Sequence, residues 1–282
     1  MKGIRGVRTR CGRAGGLIAA AVAALSMAAP AGAITNGSPD NGAHPNVGTV
    51  IWRGADGALF RSCSGTLVSP TVFLTAAHCL ALDDDFPGEV PVGVSFDGQV
   101  PPVPLGYLPG TAVPHPGFVW GNGQGAGATG PHNNDPLDIG VVVLDAPVPG
   151  VTPARLPTLN LLDQLNAGGG LKGAQFVVVG YGATEAAKPG AAHCCGPRGE
   201  RRVGSETFRA LTNAILRLNQ NAATGNGGTC YGDSGGPHFI GTTNVIASIT
   251  YTGDIPCVSN DSSYRVDTAV ARDFLVGYVT LP

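Results

Sequence analysis

Three residues of this chain, a serine, a histidine and an aspartate, stand in strings whose composition points to chemistry. Ser234 lies in Gly232-Asp233-Ser234-Gly235-Gly236-Pro237. A serine hydroxyl is a poor nucleophile until a base takes its proton and the developing oxyanion meets preorganised donors. A glycine-rich turn serves the second need: Gly232 has no Cβ to block approach to its N–H, and Ser234 supplies the next donor. Taken alone, the string also fits an ordinary turn, because G-x-S-x-G-like strings arise by chance.

His78 ends Leu74-Thr75-Ala76-Ala77-His78-Cys79, which follows Cys63-Ser64-Gly65-Thr66-Leu67-Val68. A histidine at the end of a buried strand, with small neighbours and a cysteine beside it, is held in place. Its ordinary pKa, roughly 6.5, suits proton transfer near neutrality. The plainer alternative is a structural histidine. His115, His132 and His193 lie in Pro/Gly-rich stretches and read as solvated, and His44 and His238 read as structural. Asp138 opens Asp138-Ile139-Gly140-Val141-Val142-Val143-Leu144. A carboxylate entering an apolar strand is costly to bury without a partner, and a histidine N–H is one such partner. By itself the string fits a capping aspartate as well. Asp135 competes locally, but it precedes a proline and lacks the strand.

The elements that must position these groups are strands. Short β-branched and aromatic runs recur between Gly, Pro, Asn and Asp clusters: Val47–Trp52, Gly65–Val68, Val72–Thr75, Val141–Leu144, Phe176–Val179 and Val245–Thr250. This pattern predicts an all-β sandwich or barrel. The last stretch, Asp267–Leu281, reads as one helix with Asp267 or Thr268 as N-cap. Residues 117–134 and 186–205 are Gly-rich and polar and read as surface insertions.

Residues 1–33 read as a secretory signal peptide. Lys2, Arg5, Arg8, Arg10 and Arg13 precede the apolar run Leu17–Ala29, and Ala31-Gly32-Ala33 fits a cleavage site. The run is too short to span a bilayer, which takes roughly 20 apolar residues. The whole chain has 17 basic and 19 acidic residues. The leader holds five basic and no acidic ones, so residues 34–282 carry 12 against 19, a net of −7. That argues against nucleic acid as a partner, because binding its phosphates depends on clustered Lys and Arg. Six of the seven cysteines lie after the leader, where disulfides are expected, with fifteen pairings open by spacing alone.

The strings TAAHC, Asp138-Ile139-Gly140 and GDSGGP, in the order His, Asp, Ser, resemble the chymotrypsin-like (trypsin-type) serine protease family, in a secreted form of bacterial type, from Ile34 to Pro282. That order differs from the subtilisin-like and α/β-hydrolase triads. The resemblance implies two antiparallel six-stranded β-barrels, divided near residues 150–170, with a C-terminal helix and the active site in the cleft between them. It implies Ser234 as nucleophile, His78 as general base, Asp138 as its orienter, and the Gly232 and Ser234 N–H groups as oxyanion hole. It also implies disulfides Cys63–Cys79 and Cys230–Cys257. Cys194 and Cys195 match no family position.

The resemblance reaches the N-terminus. Cleavage after Ala33 leaves Ile34-Thr35-Asn36-Gly37, similar to the Ile-Val-Gly-Gly start of activated members, whose α-ammonium pairs with the aspartate before the serine, here Asp233. Thr35 and Asn36 depart from that pattern. Members that cleave after Arg or Lys carry an aspartate six positions before the nucleophile, where this chain has Gly228. Ser248, Thr250 and Ser262 are the expected pocket-wall positions. Side chains there narrow the slot toward small or medium apolar residues.

The expectation is a secreted, monomeric endopeptidase acting on protein or peptide substrates. It needs no cofactor, metal, nucleic acid or membrane after signal removal. Asp83-Asp84-Asp85 reads as a solvated turn rather than a calcium loop. Two rivals are a catalytically silent binding protein on the same scaffold, which usually loses one of these motif residues, and an esterase, which the motif order opposes.

Overall fold

In the computed structural model of the chain, residues 34–82, 87–99, 106–119, 135–183, 200–254 and 256–282 are described. The leader, Asp83–Asp85, His132, His193, Cys194, Cys195 and most of both proposed insertions lie outside them.

The first barrel contains β2 (Val47–Arg53), β3 (Leu59–Ser69), β4 (Val72–Thr75), β5 (Val90–Ser95), β6 (Leu108–Pro114) and β7 (Gly140–Leu144), after a short β1 (Ser38–Pro39). All neighbours are antiparallel, and β2–β5 pairing closes the ring in the order β2-β3-β4-β7-β6-β5. The chain then crosses through α1 (Leu161–Ala167) to β8 (Gln175–Gly180), β9 (Arg202–Leu211), β10 (Ile215–Asn219), β11 (Pro237–Ile240), β12 (Ile246–Gly253) and β13 (Asn260–Arg265). Pairing of β8 with β9 closes these six, with β1 added at the edge of β9. The fold is the expected pair of six-stranded barrels. Closure leaves no long unpaired edge, which is how such sheets avoid unwanted association.

The apolar runs read in the sequence are the centres of these strands. Val50, Phe73, Leu74, Val141 and Val142 of the first barrel and Val179, Phe239, Ile246, Ile249 and Tyr264 of the second belong to one continuous buried core. Two expectations change. The C-terminal helix is shorter, α2 (Ala269–Leu275), because Gly277 is a poor helix former and the last turns are held only locally. Thr268, not Asp267, is its N-cap, accepting the Ala271 N–H at 3.2 Å. Asp267 instead accepts from Leu162 of α1 and from Arg265. The second insertion also ends early, since Arg202–Ser205 already belong to β9. Among the described residues no helix is long and apolar enough to cross a membrane.

A buried charge cluster fastens the N-terminal segment to the second barrel. Arg201 Nε donates to Asp40 Oδ2 at 2.8 Å, and Arg201 Nη1 donates to Val47 O and to the Tyr181 hydroxyl. His44 Nδ1 lies 2.5 Å from Asp40 Oδ1. Burial opposes ionisation of Asp40, but His44 and Arg201 outweigh it and hold the carboxyl at about 2. Its contribution to stability is therefore complete above about pH 4 and lost as pH falls through about 2. Asp40→Ala leaves Arg201 buried without its partner. It should cost about 3–5 kcal/mol of stability in denaturant melts and weaken the acid limb of the stability curve.

Candidate active site

Small residues and a covalent tether place His78. β4 ends at Thr75, and the fully buried Ala76 and Ala77 let the chain fold tightly into one 3-10 turn, Ala77–Cys79. Cys79 is bonded to Cys63 on β3, and Cys230 to Cys257 in the second barrel. His78 Nδ1 lies 2.7 Å from Asp138 Oδ2, and the His78 backbone N–H donates to Asp138 Oδ1 at 2.8 Å. An ionised carboxylate only accepts, so Nδ1 carries the proton and Nε2 is the basic nitrogen. One fully buried carboxylate fixes the position, rotamer and tautomer of the ring.

Asp135 has a different task from Asp138. Leu137 has φ 52°, and Asp135 Oδ1 accepts its N–H at 2.9 Å. A left-handed non-glycine residue costs on the order of 1–2 kcal/mol. The Asp135 hydrogen bond offsets part of that cost and aims the next residue, Asp138, inward.

Ser234 reaches the same place through backbone contacts between barrels. Ser64 of β3 donates its N–H to Ser234 O at 2.9 Å, and its Oγ donates to Gly232 O at 2.9 Å while accepting the Tyr181 N–H. Gly235, at φ +75°, is pressed against the strand that carries His78. A Cβ there would lie 2.0 Å from Thr75 Oγ1 and 2.7 Å from Ala76 N. Only glycine fits. Gly235 and Gly236 are also paired with Thr250 on the far side, through Gly235 N–H to Thr250 O and Thr250 N–H to Gly236 O. Within the turn the Asp233 N–H bonds Cys230 O at 2.9 Å and the Gly236 N–H bonds Asp233 O at 2.8 Å. Among the described residues the Gly232 and Ser234 N–H groups make no such bond.

Asp233 is fully buried and accepts from the Gly182 N–H at 2.8 Å and the Cys230 N–H at 2.9 Å. Burial pushes its carboxyl up to about 7. Ile34 is also fully buried, with its side chain against Gly37 and Gly204 and with φ 60°. Thr35 pairs with Gly228 in both directions, at 2.8 and 2.9 Å. The first residues are thus docked beside the segment that leads to Ser234. Among the described residues no hydrogen bond joins Ile34 to Asp233 while the chain continues ahead of Ile34.

The expected pocket positions separate. Gly228 lies four residues before Gly232, at the docking site of Thr35. Ser248 Oγ donates to Ser263 Oγ in the barrel interior, and Thr250 is engaged with the nucleophile turn. Ser262 lines an outer cavity of about 430 Å³ together with Arg209, Arg217 and Asp254. A register shift between Thr250 and Thr252 sets Gly253 opposite Asp261. Burial, and then the charge of Asp138, push the Tyr251 hydroxyl up to about 12. No local string marks Tyr251 or Ser64, although Ser64 adjoins the cysteine of the His78 tether.

His238 is structural, as expected, but its setting is charged. Its Nε2 lies 2.5 Å from Asp261 Oδ2 and 3.5 Å from Glu206 Oε2, all three fully buried. Burial works against the charged ring, but Asp261 and Glu206 outweigh it and raise His238 to about 10; burial and Asp261 raise Glu206 to about 8. In the group formed by Cys63, His78 and Cys79, both sulfurs are spent in the disulfide.

The family model Trypsin matches residues 34–274. Among solved structures the chain is similar to HL collagenase, with 15% identity, coverage of 88% of this chain and 100% of that one, and a TM-score of 0.57. That likeness bears on the fold. Gly235→Ala should push Ser234 away from His78 and lower hydrolysis about a hundredfold in initial-rate assays. Gly225→Ala, at an equally left-handed turn with open space around the Cβ position, should leave the rate within about twofold.

Proposed function

Because this chain belongs to the trypsin family, whose members are serine endopeptidases, we propose that it is secreted and cleaves peptide bonds through Ser234, His78 and Asp138. The observation that carries this reading is the double hold of Asp138 on His78, next to a nucleophile turn bonded to Ser64 and packed on Thr75 and Ala76. Ser234 Oγ attacks the scissile carbonyl while His78 Nε2 takes its proton. The oxyanion is met by the Gly232 and Ser234 N–H groups. His78 then protonates the leaving amine, and water, deprotonated by the same nitrogen, releases the acyl group.

Gly228 offers no counter-charge to Arg or Lys, so the side chain on the acyl side of the cleaved bond (P1) is small or medium and uncharged. The test is a peptide-library digest combined with fluorophosphonate labelling. Ser234→Ala and His78→Ala should lose about 10⁴–10⁶ in turnover and Asp138→Asn about 10⁴. A digest dominated by Arg or Lys would contradict the pocket reading, and absence of labelling would contradict the mechanism.

Removal of residues 1–33 frees an ammonium at Ile34, whose segment is docked beside Gly228. Pairing with the buried Asp233 then organises the oxyanion turn. Without that cation, a carboxyl raised to about 7 makes the folded chain lose stability as pH climbs from about 4 to about 7. A protein beginning at Ile34 should be fully active and show a flatter stability profile over that window. One extra residue ahead of Ile34 should abolish turnover and restore the slope, as read by initial rates and denaturant melts.

A further inference from the structure

We propose that the cavity bordered by Arg209 and Arg217, on the outer face of the second barrel, is an exosite that holds an acidic side chain of the protein substrate between two guanidinium groups. The assignment rests on the protease reading above and adds to it a preference for acidic residues away from the cleaved bond.

A β-bulge builds the site. Arg217 of β10 faces Ala210 of β9, but the next pair is Leu218 with Phe208, so Arg209 is left unpaired between them. In an unbroken ladder Arg209 would stand opposite Leu218, which is fully buried in the barrel. The slip puts Phe208 there instead, packed on the same apolar cluster, and turns the arginine outward. Arg209 and Arg217 are both exposed, and both line one cavity of about 430 Å³ whose other walls include Gly253, Asn260 and Ser262.

Asp254 and Asp261 also border the cavity, but both carboxylates are turned to other partners. Asp254 accepts the Val258, Ser259 and Asn260 N–H groups and the Gln220 amide. Asp261 is fully buried, with Oδ2 at 2.5 Å from His238 Nε2. The arginines have no such partner. Among the described residues Arg61, Arg201, Arg202 and Arg265 stand in ion pairs, and Arg209 and Arg217 do not. Residues 34–282 carry a net charge of −7, so two free guanidiniums in one concave site are a local exception. A guanidinium fork matches the two oxygens of a carboxylate, and hydrogen bonds between charged partners are stronger than neutral ones. A carboxylate therefore suits the cavity better than the amide of the same shape.

The strand β12 ties this cavity to the nucleophile. Gly235, next to Ser234, donates its N–H to Thr250 O, and Gly253 lies three residues further along the same strand. At roughly 3.3 Å per residue, the cavity wall begins about 10 Å from the nucleophile turn. An extended peptide held at Ser234 covers that distance in about three residues.

The experiment uses peptides identical at the cleaved bond that carry Glu or Gln about two to four residues from it, on either side. With the native enzyme kcat/KM should be about five- to tenfold higher for Glu at one or more of these places, mainly through KM. The difference should vanish at about 0.5 M salt. The double variant Arg209→Gln, Arg217→Gln should lose the preference and keep turnover of the Gln peptides within about twofold of native. Binding of the same peptides to Ser234→Ala, read by fluorescence anisotropy, should show the same step between Glu and Gln. Equal turnover and equal binding of Glu and Gln peptides at every place overturn the proposal. So does a Glu preference that survives in the double variant. Binding of inorganic phosphate without any Glu preference assigns the cavity to a free anion and overturns it as well. Fluorophosphonate labelling of Ser234 in the native enzyme keeps the two readings apart. Labelled enzyme without the Glu preference contradicts only the exosite. Unlabelled and inactive enzyme contradicts the protease mechanism, and the anisotropy measurement then decides the cavity by itself.

Discussion

A buried carboxylate must find donors, and Asp138 finds both of its own on one residue. Its two oxygens receive the backbone N–H and the ring Nδ1 of His78. If either contact failed, a charged oxygen would sit in an apolar interior without compensation, at a cost of several kcal/mol. The position of His78 is thus coupled to the solvation of Asp138. The strained Leu137, its Asp135 hydrogen bond, the small Ala76 and Ala77 and the Cys63 tether all keep that arrangement in register.

The second requirement is that two separately closed barrels meet in one geometry. The backbone of β3 makes that contact through Ser64, which bonds both Gly232 and Ser234. Gly235 then allows an approach to Thr75 that no other residue permits. On the opposite flank, Asp40 and Arg201 fasten the N-terminal segment, and Thr35 pairs beside Gly228. The nucleophile turn is therefore held from the histidine side and from the N-terminal side.

Much of this was legible in the sequence because it is local. Strand runs, the His, Asp and Ser strings and the short-range setting of His78 each depend on residues close along the chain. Strand register was not legible: the slip between Thr250 and Thr252 brings Gly253 opposite Asp261, and no local string marks it. The charges around His238 come from β9 and β13, far apart in sequence, so the residue read simply as buried. The helix α1 was missed because its seven residues are too few to show a periodic pattern.

The most direct test of the account is a crystal structure of the mature protein carrying a fluorophosphonate on Ser234. The account predicts His78 Nε2 within about 3 Å of the Ser234 Oγ–phosphorus linkage, and one phosphonyl oxygen within about 3 Å of both the Gly232 and Ser234 N–H nitrogens. The Asp138 contacts to His78 should be intact. A ring swung out of reach of the adduct, or a phosphonyl oxygen turned away from both amides, would contradict it.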